Sequence, residues 1–422
     1  MRSLTANILL FAWVALALAS GDAAQPENAD STQTIHLEPF HGPEISKLIS
    51  FGNCQWLYPL NEPNETLVSE PAYGSSQRVY YAARYGDATD NIYTFVIDES
   101  GGTGTGFNML YADLNNDNRL DPNSEKFPLT LSGLTTAEER NVRLLLSVRA
   151  GGKTIPYGFN FAAFRYKDEN HPIEKIHATC RESTVMVGEA EFEGRTYKVA
   201  LADLDSNGRF NDYEQGVFRG DRFFVDFSGD GKFEGGSAGA ESFSYGQYSQ
   251  IGGKWYTVEA SADGGTVQIR SARPTFGTVK TAGKVKSVGL SSPKQFQRLD
   301  FMNGPAQALT GVYQVRDVWL EITDEQRRTW NTAGGYRQAG PQLAIEPDQE
   351  ASLGDTLPLA IQVAVLPTAD PNAINLEPRI MDSYGGTFST LTQNGNRHQP
   401  PASLVIKDVE GKQVVQADLK YG

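Results

Sequence analysis

Apolar and polar positions alternate along most of the chain in short runs that glycine, asparagine and aspartate interrupt. A two-residue period places successive side chains on opposite faces of a strand, whereas an amphipathic helix shows a period of about 3.6 residues. The pattern therefore predicts a mostly β fold, with one short helix beginning at Thr136. The clearest predicted strands span residues 79–83, 92–97, 107–113, 142–148, 154–161, 185–192, 196–203, 255–260, 266–269, 357–366, 403–407 and 413–419, and two more lie within 309–322.

Changes in composition predict a multidomain chain. Residues 25–48 are polar without a clear period, which predicts a lead segment that is partly ordered at best. Residues 49–272 form a β-rich domain. Residues 273–345 have the length of a small β-sandwich, and residues 346–422 that of a small immunoglobulin-like β-sandwich. These last two segments could instead form one larger sandwich.

Three loops inside the β-rich domain share one pattern and begin at Asp113, Asp203 and Asp226. Side chains that carry oxygen recur at positions 1, 3 and 5, next to a residue suited to a tight turn. Position 8 is a bulky hydrophobic residue in each loop. This spacing of oxygen ligands is what a hard cation such as Ca²⁺ requires.

The loops resemble the EF-hand loop and the shorter dockerin-like calcium loops. The resemblance implies that side chains bind Ca²⁺ from positions 1, 3, 5 and 9, a backbone carbonyl from position 7, and a bidentate carboxylate from position 12. The implied ligands are Asp203, Asp205, Asn207, Arg209, Asn211 and Glu214 in the second loop, Asp226, Ser228, Asp230, Lys232 and Glu234 in the third, and Asp113, Asn115, Asp117, Arg119 and Asp121 in the first.

Two loops depart from the family pattern. In the first, Asn118 replaces the turn glycine, and Glu125 lies one residue beyond position 12. In the third, position 12 is Ser237, so a last ligand would come from elsewhere, with Asp221, Asp212 and Glu241 as candidates. The residues that enter each loop are β-like, so we expect strands to deliver the loops. That arrangement favours structural calcium over a helix-pair sensor.

The first 24 residues have the pattern of a signal peptide. Arg2 precedes an apolar run from Ile8 to Ala19, and small residues follow at a plausible cleavage point. The run is shorter than the roughly 20 residues that span a bilayer. We expect export to a secreted or extracytoplasmic location, such as the periplasm, envelope or cell surface, with no membrane span after cleavage. The alternative is an uncleaved anchor helix.

The net charge and the remaining motifs argue against several classes of function. A formal net charge of −14 argues against a nucleic-acid partner. Cys54 and Cys180 could form a disulfide or remain two buried thiols. His171, His177 and Cys180 match no usual zinc spacing, which favours surface histidines. No nucleophile elbow, zinc-protease motif or phosphate loop appears.

In layout the chain resembles secreted bacterial proteins that join EF-hand-like loops to immunoglobulin-like modules. The resemblance favours an exported, calcium-binding, non-catalytic structural or binding protein, with Ca²⁺ and an extracellular protein or carbohydrate as partners. The alternative is a calcium-dependent extracellular hydrolase or a carbohydrate-binding protein, which an exposed aromatic strip would favour. Four aromatic residues could form such a strip but are better explained as core or cross-strand pairs: Tyr245, Tyr248, Trp255 and Tyr256.

Overall fold

A computed structural model describes residues 32–41, 45, 49, 54–103, 106–131, 142–166, 175–215, 220–233, 241–281, 284–336, 340–354, 359–366, 375–393, 402–407 and 409–419. The regular elements named within these ranges are thirty β-strands, which confirms the mostly β fold. No helix in the described ranges is both long and apolar enough to cross a bilayer. The predicted signal peptide and the predicted helix at Thr136 lie outside the described residues.

Seventeen strands make up the part of the chain from residue 32 to residue 271. They are β1 (Thr32–His36), β2 (Glu38–His41), β3 (Gln55–Leu57), β4 (Val79–Arg84), β5 (Ile92–Asp98), β6 (Met109–Ala112), β7 (Lys126–Pro128), β8 (Val142–Ala150), β9 (Lys153–Tyr166), β10 (Lys175–Glu182), β11 (Thr184–Phe192), β12 (Arg195–Asp203), β13 (Asp221–Val225), β14 (Ser242–Ser244), β15 (Ser249–Ile251), β16 (Lys254–Ala260) and β17 (Thr266–Ser271).

These strands form four antiparallel sheets. Their orders are β4-β5-β6-β7, β3-β10-β9-β8, β14-β13-β12-β11-β2 and β1-β17-β16-β15. We call the second the β8–β10 sheet and the third the β11–β14 sheet. Along β8, every second side chain is buried, as expected for a strand with one face on a core. By contrast, all five side chains of β13 are buried, so this strand is covered on both faces.

One cluster of buried side chains joins all four sheets. It includes Ile35 of β1, Phe95 of β5, Phe159 of β9 and Phe223 of β13. Aromatic rings form much of this core, and the Phe95 and Phe161 rings stack with centroids 5.6 Å apart. Because the core is continuous, the loops between these strands are attached to a single packed body.

The remaining strands lie between residue 276 and residue 419. They are β18 (Phe276–Thr281), β19 (Val285–Ser292), β20 (Gln295–Asp300), β21 (Ala306–Leu309), β22 (Gly311–Thr323), β23 (Thr329–Gly335), β24 (Gln342–Ile345), β25 (Glu350–Leu353), β26 (Ala360–Leu366), β27 (Asn375–Met381), β28 (Thr387–Gln393), β29 (Ala402–Lys407) and β30 (Gln413–Leu419). They form an eight-stranded sheet, a three-stranded sheet β21-β18-β25 and the hairpin β29-β30.

Strands on both sides of the predicted boundary at residue 345 pair with each other. In the eight-stranded sheet β23 pairs with β28, and in the three-stranded sheet β18 pairs with β25. A second cluster of buried residues extends from Val279 to Phe388. Strand pairing and a shared core across residue 345 would be expected if residues 273–422 formed one larger sandwich. The domain boundaries and the immunoglobulin-like topology stay predictions.

Two parts of the described chain differ from the strand pattern expected from sequence. The lead segment contains β1 and β2, which pair with β17 and β11, because an edge strand can offer its backbone groups to a partner of weak pattern. Ile35 and Leu37 are buried there. In residues 309–322, the sequence predicts two strands, but Gly311–Thr323 is one strand of 13 residues.

The two cysteines are free thiols on neighbouring strands. Cys180 lies in β10 opposite Gln55 of β3, and Cys54 is the residue immediately before Gln55. Cys180 is buried, and burial raises the pKa of its thiol to about 12. Cys54 is partly exposed.

Candidate metal centre

The three loops have the same backbone shape. Position 4 and position 6 of each loop adopt positive φ angles, which are rare outside glycine and asparagine. A strand precedes each loop, as predicted: β6, β12 and β13. The residues with these angles are Asn116 (57°) and Asn118 (61°), Ser206 (57°) and Gly208 (79°), and Gly229 (73°) and Gly231 (79°).

The aspartate at position 1 of each loop is buried and holds the turn together. Its two carboxylate oxygens accept hydrogen bonds from backbone N–H groups further along the loop. Asp113 accepts from residues 117 and 118 at 3.2 and 3.1 Å. Asp203 accepts from residues 207 and 208 at 3.2 and 2.6 Å. Asp226 accepts from residues 229 and 231 at 2.6 and 2.8 Å.

The hydrophobic residue at position 8 anchors each loop to a core. Leu120, Phe210 and Phe233 are all buried. They belong to three different clusters of buried side chains, and that of Phe210 is the continuous core of the four sheets. The second loop is therefore attached to the largest apolar body in this part of the chain.

The second loop brings three carboxylates together. Oxygens of Asp203, Asp205 and Asp221 all lie within 4.8 Å of one another. Asp203 is the last residue of β12 and Asp221 the first residue of β13, and the two are direct partners in the antiparallel register. Because opposite residues of such a pair point to the same face, their side chains converge. Asp205, two residues into the loop, adds the third carboxylate.

The cluster has fewer hydrogen-bond donors than carboxylate oxygens. Asp203 accepts from the Tyr157 hydroxyl at 2.9 Å in addition to its loop N–H groups. Asp221 Oδ2 accepts from the backbone N–H of Asp212 at 2.6 Å. The Oδ1 atoms of Asp205 and Asp221 are buried without a hydrogen-bond partner among the described residues. Asp221 is 1 % exposed, so its carboxylate lies away from bulk solvent.

Burial and mutual repulsion disfavour the ionised form of these acids. The pKa of Asp203 lies well above its usual range because it is desolvated and because Asp205 is close. The pKa of Asp221 also lies well above its usual range, because the carboxyl is desolvated and because Asp203 and Asp205 repel its negative charge. Burial also raises the pKa of Asp205. A divalent cation would reverse this effect, because it favours the ionised form of each ligand.

The two arginines nearest the cluster are engaged by other acids. Arg222 donates to Glu214 at 2.8 Å in a buried ion pair. Arg209 donates to Asp212 at 2.7 Å. Neither ion pair includes a member of the carboxylate trio. Burial raises the pKa of Asp205, and the charge of Arg209 offsets only part of this rise.

The other side chains predicted as ligands in the second loop are paired with different groups or exposed. Glu214, expected at position 12, is paired with Arg222. Asn207 Oδ1 accepts from the backbone N–H of Arg209 at 2.8 Å, and its Nδ2 donates to Asp212 at 2.7 Å. Asn211 is exposed. Asp221, which the sequence offered as a ligand for the third loop, lies at the second loop instead.

The first loop is closed by an acid outside the predicted ligand set. Glu125 is buried, and its carboxylate accepts from the backbone N–H groups of Leu114 at 2.8 Å and Asp121 at 2.9 Å. Desolvation and the nearby Glu125 raise the pKa of Asp113 to about 7. The other predicted ligands of this loop are exposed: Asn115, Asp117, Arg119 and Asp121.

The third loop is more open. Asp226 is buried, and the Ser228 hydroxyl donates to its Oδ1 at 3.1 Å. Glu241 accepts from the backbone N–H of Ser228 at 2.8 Å, so this acid does lie at the third loop. Ser228, Asp230 and Lys232 are exposed. Glu234 lies outside the described residues.

Sequence reasoning missed one acid beside the second loop. Glu182 is the last residue of β10, is 2 % exposed, and carries two oxygens without hydrogen-bond partners among the described residues. Nothing in the run Arg181-Glu182-Ser183-Thr184 marks it, because the same letters are common at the exposed end of a strand. Only the packing of one sheet on another shows its position.

Among the described residues, His177 and Cys180 belong to no group of three side chains with metal-binding spacing. His177 lies against aromatic rings, with its centroid 6.2 Å from Phe164 and 6.3 Å from Tyr58. Cys180 lies on the core side of the same strand. His171 lies outside the described residues. The one group of three or more His, Cys, Asp or Glu side chains with metal-binding spacing in the described ranges is the aspartate trio.

Comparisons with known proteins add no relative to this description. No protein-family model matches the chain, and neither a curated protein nor a solved structure matches it at a significant level.

Proposed function

We propose that this protein binds a calcium ion at its second loop through Asp203, Asp205 and Asp221, and that the ion stabilises an exported, non-catalytic structural or binding protein of the cell surface or envelope. The observation that carries the proposal is the convergence of three carboxylates within 4.8 Å. Two of their oxygens are buried without a hydrogen-bond partner among the described residues. A buried carboxylate without a partner is costly, and a bound cation removes that cost.

The ligand chemistry favours calcium over other metals. The three side chains supply only oxygen, which suits hard cations, whereas zinc and copper sites favour nitrogen and sulfur. Calcium accepts six to eight oxygens in irregular geometry at about 2.3–2.6 Å. The loop backbone also resembles a calcium loop, with positive φ at Ser206 and Gly208. Magnesium demands a nearly ideal octahedron and usually keeps several waters, so we expect it to bind less well.

A structural role follows from how the loop is held. A strand enters the loop, and Phe210 fixes it to the core at full burial. A calcium sensor opens a pair of helices, and strands that belong to one packed body offer no such motion. The ion would instead neutralise charge where β12 and β13 meet. In the millimolar calcium found outside cells, even a site with Kd on the order of 10⁻⁴ M would be occupied.

Export rests on the sequence alone. The apolar run from Ile8 to Ala19 after Arg2 has the pattern of a signal peptide. An extracytoplasmic location fits a calcium-dependent fold, because free calcium is abundant there and scarce in the cytosol. Both features therefore support one proposal about the compartment in which this protein works.

The test is a thermal melt of the purified protein in a chelator, in millimolar Ca²⁺ and in millimolar Mg²⁺. We expect Ca²⁺ to raise Tm by several degrees through binding to the native state, and Mg²⁺ to raise it less. Asp205→Asn and Asp221→Asn should each reduce the calcium-induced shift, because each removes one charged ligand.

The matched control is Asp300→Asn. Asp300 is exposed, and its Oδ1 accepts from the backbone N–H of Met302, an interaction that asparagine retains. This variant should show the full calcium shift. The proposal fails if wild-type protein shows no calcium shift, or if the two loop variants keep it undiminished.

A second function, carbohydrate binding, is favoured by one observation. Trp56 and Tyr58 lie two residues apart and are 47 % and 70 % exposed, and the Trp56 ring contacts Phe164 with centroids 5.3 Å apart. Exposed rings on a rigid strand suit stacking against a sugar. By contrast, Tyr245 and Tyr256 are buried, as core residues. Binding of soluble oligosaccharides that falls in Trp56→Ala, but not in Leu145→Ala, would support this function; no binding by wild type would exclude it for those sugars.

A further inference from the structure

Glu182 belongs to a different sheet from the strands that carry the second loop. It ends β10 in the β8–β10 sheet, where its register partner is Phe159. Asp203 and Asp221 belong to the β11–β14 sheet. Only Ser183 separates β10 from β11, so the chain passes from one sheet to the other beside the trio. Glu182 is therefore the contribution of a second sheet to this acidic region.

The charged side chains with the largest effect on the pKa of Glu182 are acids. Its two carboxylate oxygens are buried and have no hydrogen-bond partner of normal geometry among the described residues. Desolvation, and then the charges of Asp203 and Asp221, raise its pKa well above the usual range. The backbone N–H of Asp203 favours the ionised form and offsets part of this effect.

A purely structural glutamate would be expected to differ. Buried acids in protein cores are nearly always paired with a base or with several donors, as Glu214 is with Arg222. Glu182 is instead a fourth buried acid in this region, and the described residues provide no ion pair for it. Its oxygens are not part of the 4.8 Å group, so binding to the same ion would require the Glu182 carboxylate to move closer to the trio.

The geometry points to Glu182 as the fourth carboxylate of the calcium site, reaching the ion from the β8–β10 sheet while the second loop and β13 hold it from the β11–β14 sheet. The ion would then join two sheets as well as order a loop. This inference rests on the proposed calcium function. The loop pattern gives the bidentate role to Glu214. The inference gives that role to Glu182, which lies 32 positions earlier in the chain.

The first test measures calcium affinity by titration calorimetry on the full protein. Glu182→Gln keeps the shape of the side chain and removes its charge. We expect its Kd for Ca²⁺ to rise at least about tenfold, within the range seen when groups supporting a metal site are removed. Its Tm in chelator should be unchanged or higher, because the variant removes repulsion from the metal-free site.

Two comparison variants distinguish charge at this site from charge in general. Glu189→Gln changes an exposed glutamate of β11 and should leave Kd unchanged. Glu214→Gln removes one partner of the buried ion pair with Arg222, so it should lower Tm in chelator and in calcium by similar amounts. If Glu182→Gln binds Ca²⁺ like wild type while Asp221→Asn does not, the cross-sheet assignment is wrong and the calcium function stands. If wild type binds no Ca²⁺, both fail.

A measurement on wild-type protein covers the case in which Glu182→Gln does not fold. Amide hydrogen exchange with and without Ca²⁺ reports which strands the ion stabilises. We expect slower exchange at the C-terminal end of β10 as well as in β12, β13 and the second loop. Slower exchange confined to the loop, β12 and β13 would overturn the assignment of Glu182.

Discussion

At the scale of single residues, the backbone at positions 4 and 6 is what makes the three loops alike. Position 6 has nearly the same φ in each loop, 61° at Asn118 and 79° at both Gly208 and Gly231. The surroundings differ, however. A Cβ at Gly208 would lie 2.8 Å from the Gly86 nitrogen, whereas a Cβ at Gly231 would meet nothing within 4 Å. The second loop is thus packed against the turn between β4 and β5, and the third is open.

This difference predicts unequal effects of one substitution. Gly208→Ala should destabilise the metal-free protein by about 1–2 kcal/mol for the left-handed backbone and by about 1–3 kcal/mol more for the overpacked methyl group. Gly231→Ala should cost only the first amount. Denaturant unfolding in chelator measures both. Equal losses would show that the second loop is not packed as described.

Single residues also show what the sequence could and could not predict. The spacing in one loop identifies Asp203 and Asp205 as neighbours, because both lie on the same short turn. Asp221 was only a candidate for another loop, since its position depends on the register of two strands. The sequence does not identify Glu182, because the acids that act on it, Asp203 and Asp221, belong to a different sheet.

At the scale of elements, strand pairing decides where the acids meet. β12 ends in the second loop, and β13 begins beside it, so the register of Asp203 with Asp221 closes the site. The sequence predicts β12, including its end at Asp203, from its alternating pattern. It does not predict β1 and β2, because backbone pairing to β17 and β11, rather than side-chain pattern, makes them strands.

The buried lead segment gives a prediction at this scale. Leu37→Ala should destabilise the protein by about 2–5 kcal/mol, the usual cost of emptying a core position. Leu145→Ala, at a leucine of β8 that is 50 % exposed, should cost much less, about 0.5 kcal/mol. Urea unfolding compares the two. If they cost the same, the lead segment is not part of the core.

At the scale of the whole molecule, the chain carries a formal net charge of −14, and several acids are buried. Burial raises the pKa of Asp203, Asp205 and Asp221. At the first loop, burial and the nearby Glu125 raise the pKa of Asp113 to about 7. A carboxyl group with a raised pKa in the folded state stabilises the fold when protonated. Its contribution is complete below about pH 4 and is lost as pH rises through the folded-state pKa.

The metal-free protein should therefore lose stability as pH rises from about 4 through the folded-state pKa of each group, which is about 7 for Asp113. Calcium should reverse the part of this loss that comes from Asp203, Asp205 and Asp221, because the ion replaces protons on these ligands, so the calcium-induced rise in Tm should grow with pH. Melts at several pH values, with metal removed by a chelating resin before the metal-free runs, measure both trends. A calcium effect independent of pH would contradict the linkage.

The most direct measurement is a crystal structure of the protein grown in Ca²⁺, with anomalous scattering collected at long wavelength to locate calcium. We predict an anomalous peak with oxygens of Asp203, Asp205 and Asp221 at about 2.3–2.6 Å. A peak at another loop alone, or an ordered second loop with no calcium peak in saturating Ca²⁺, would contradict the account.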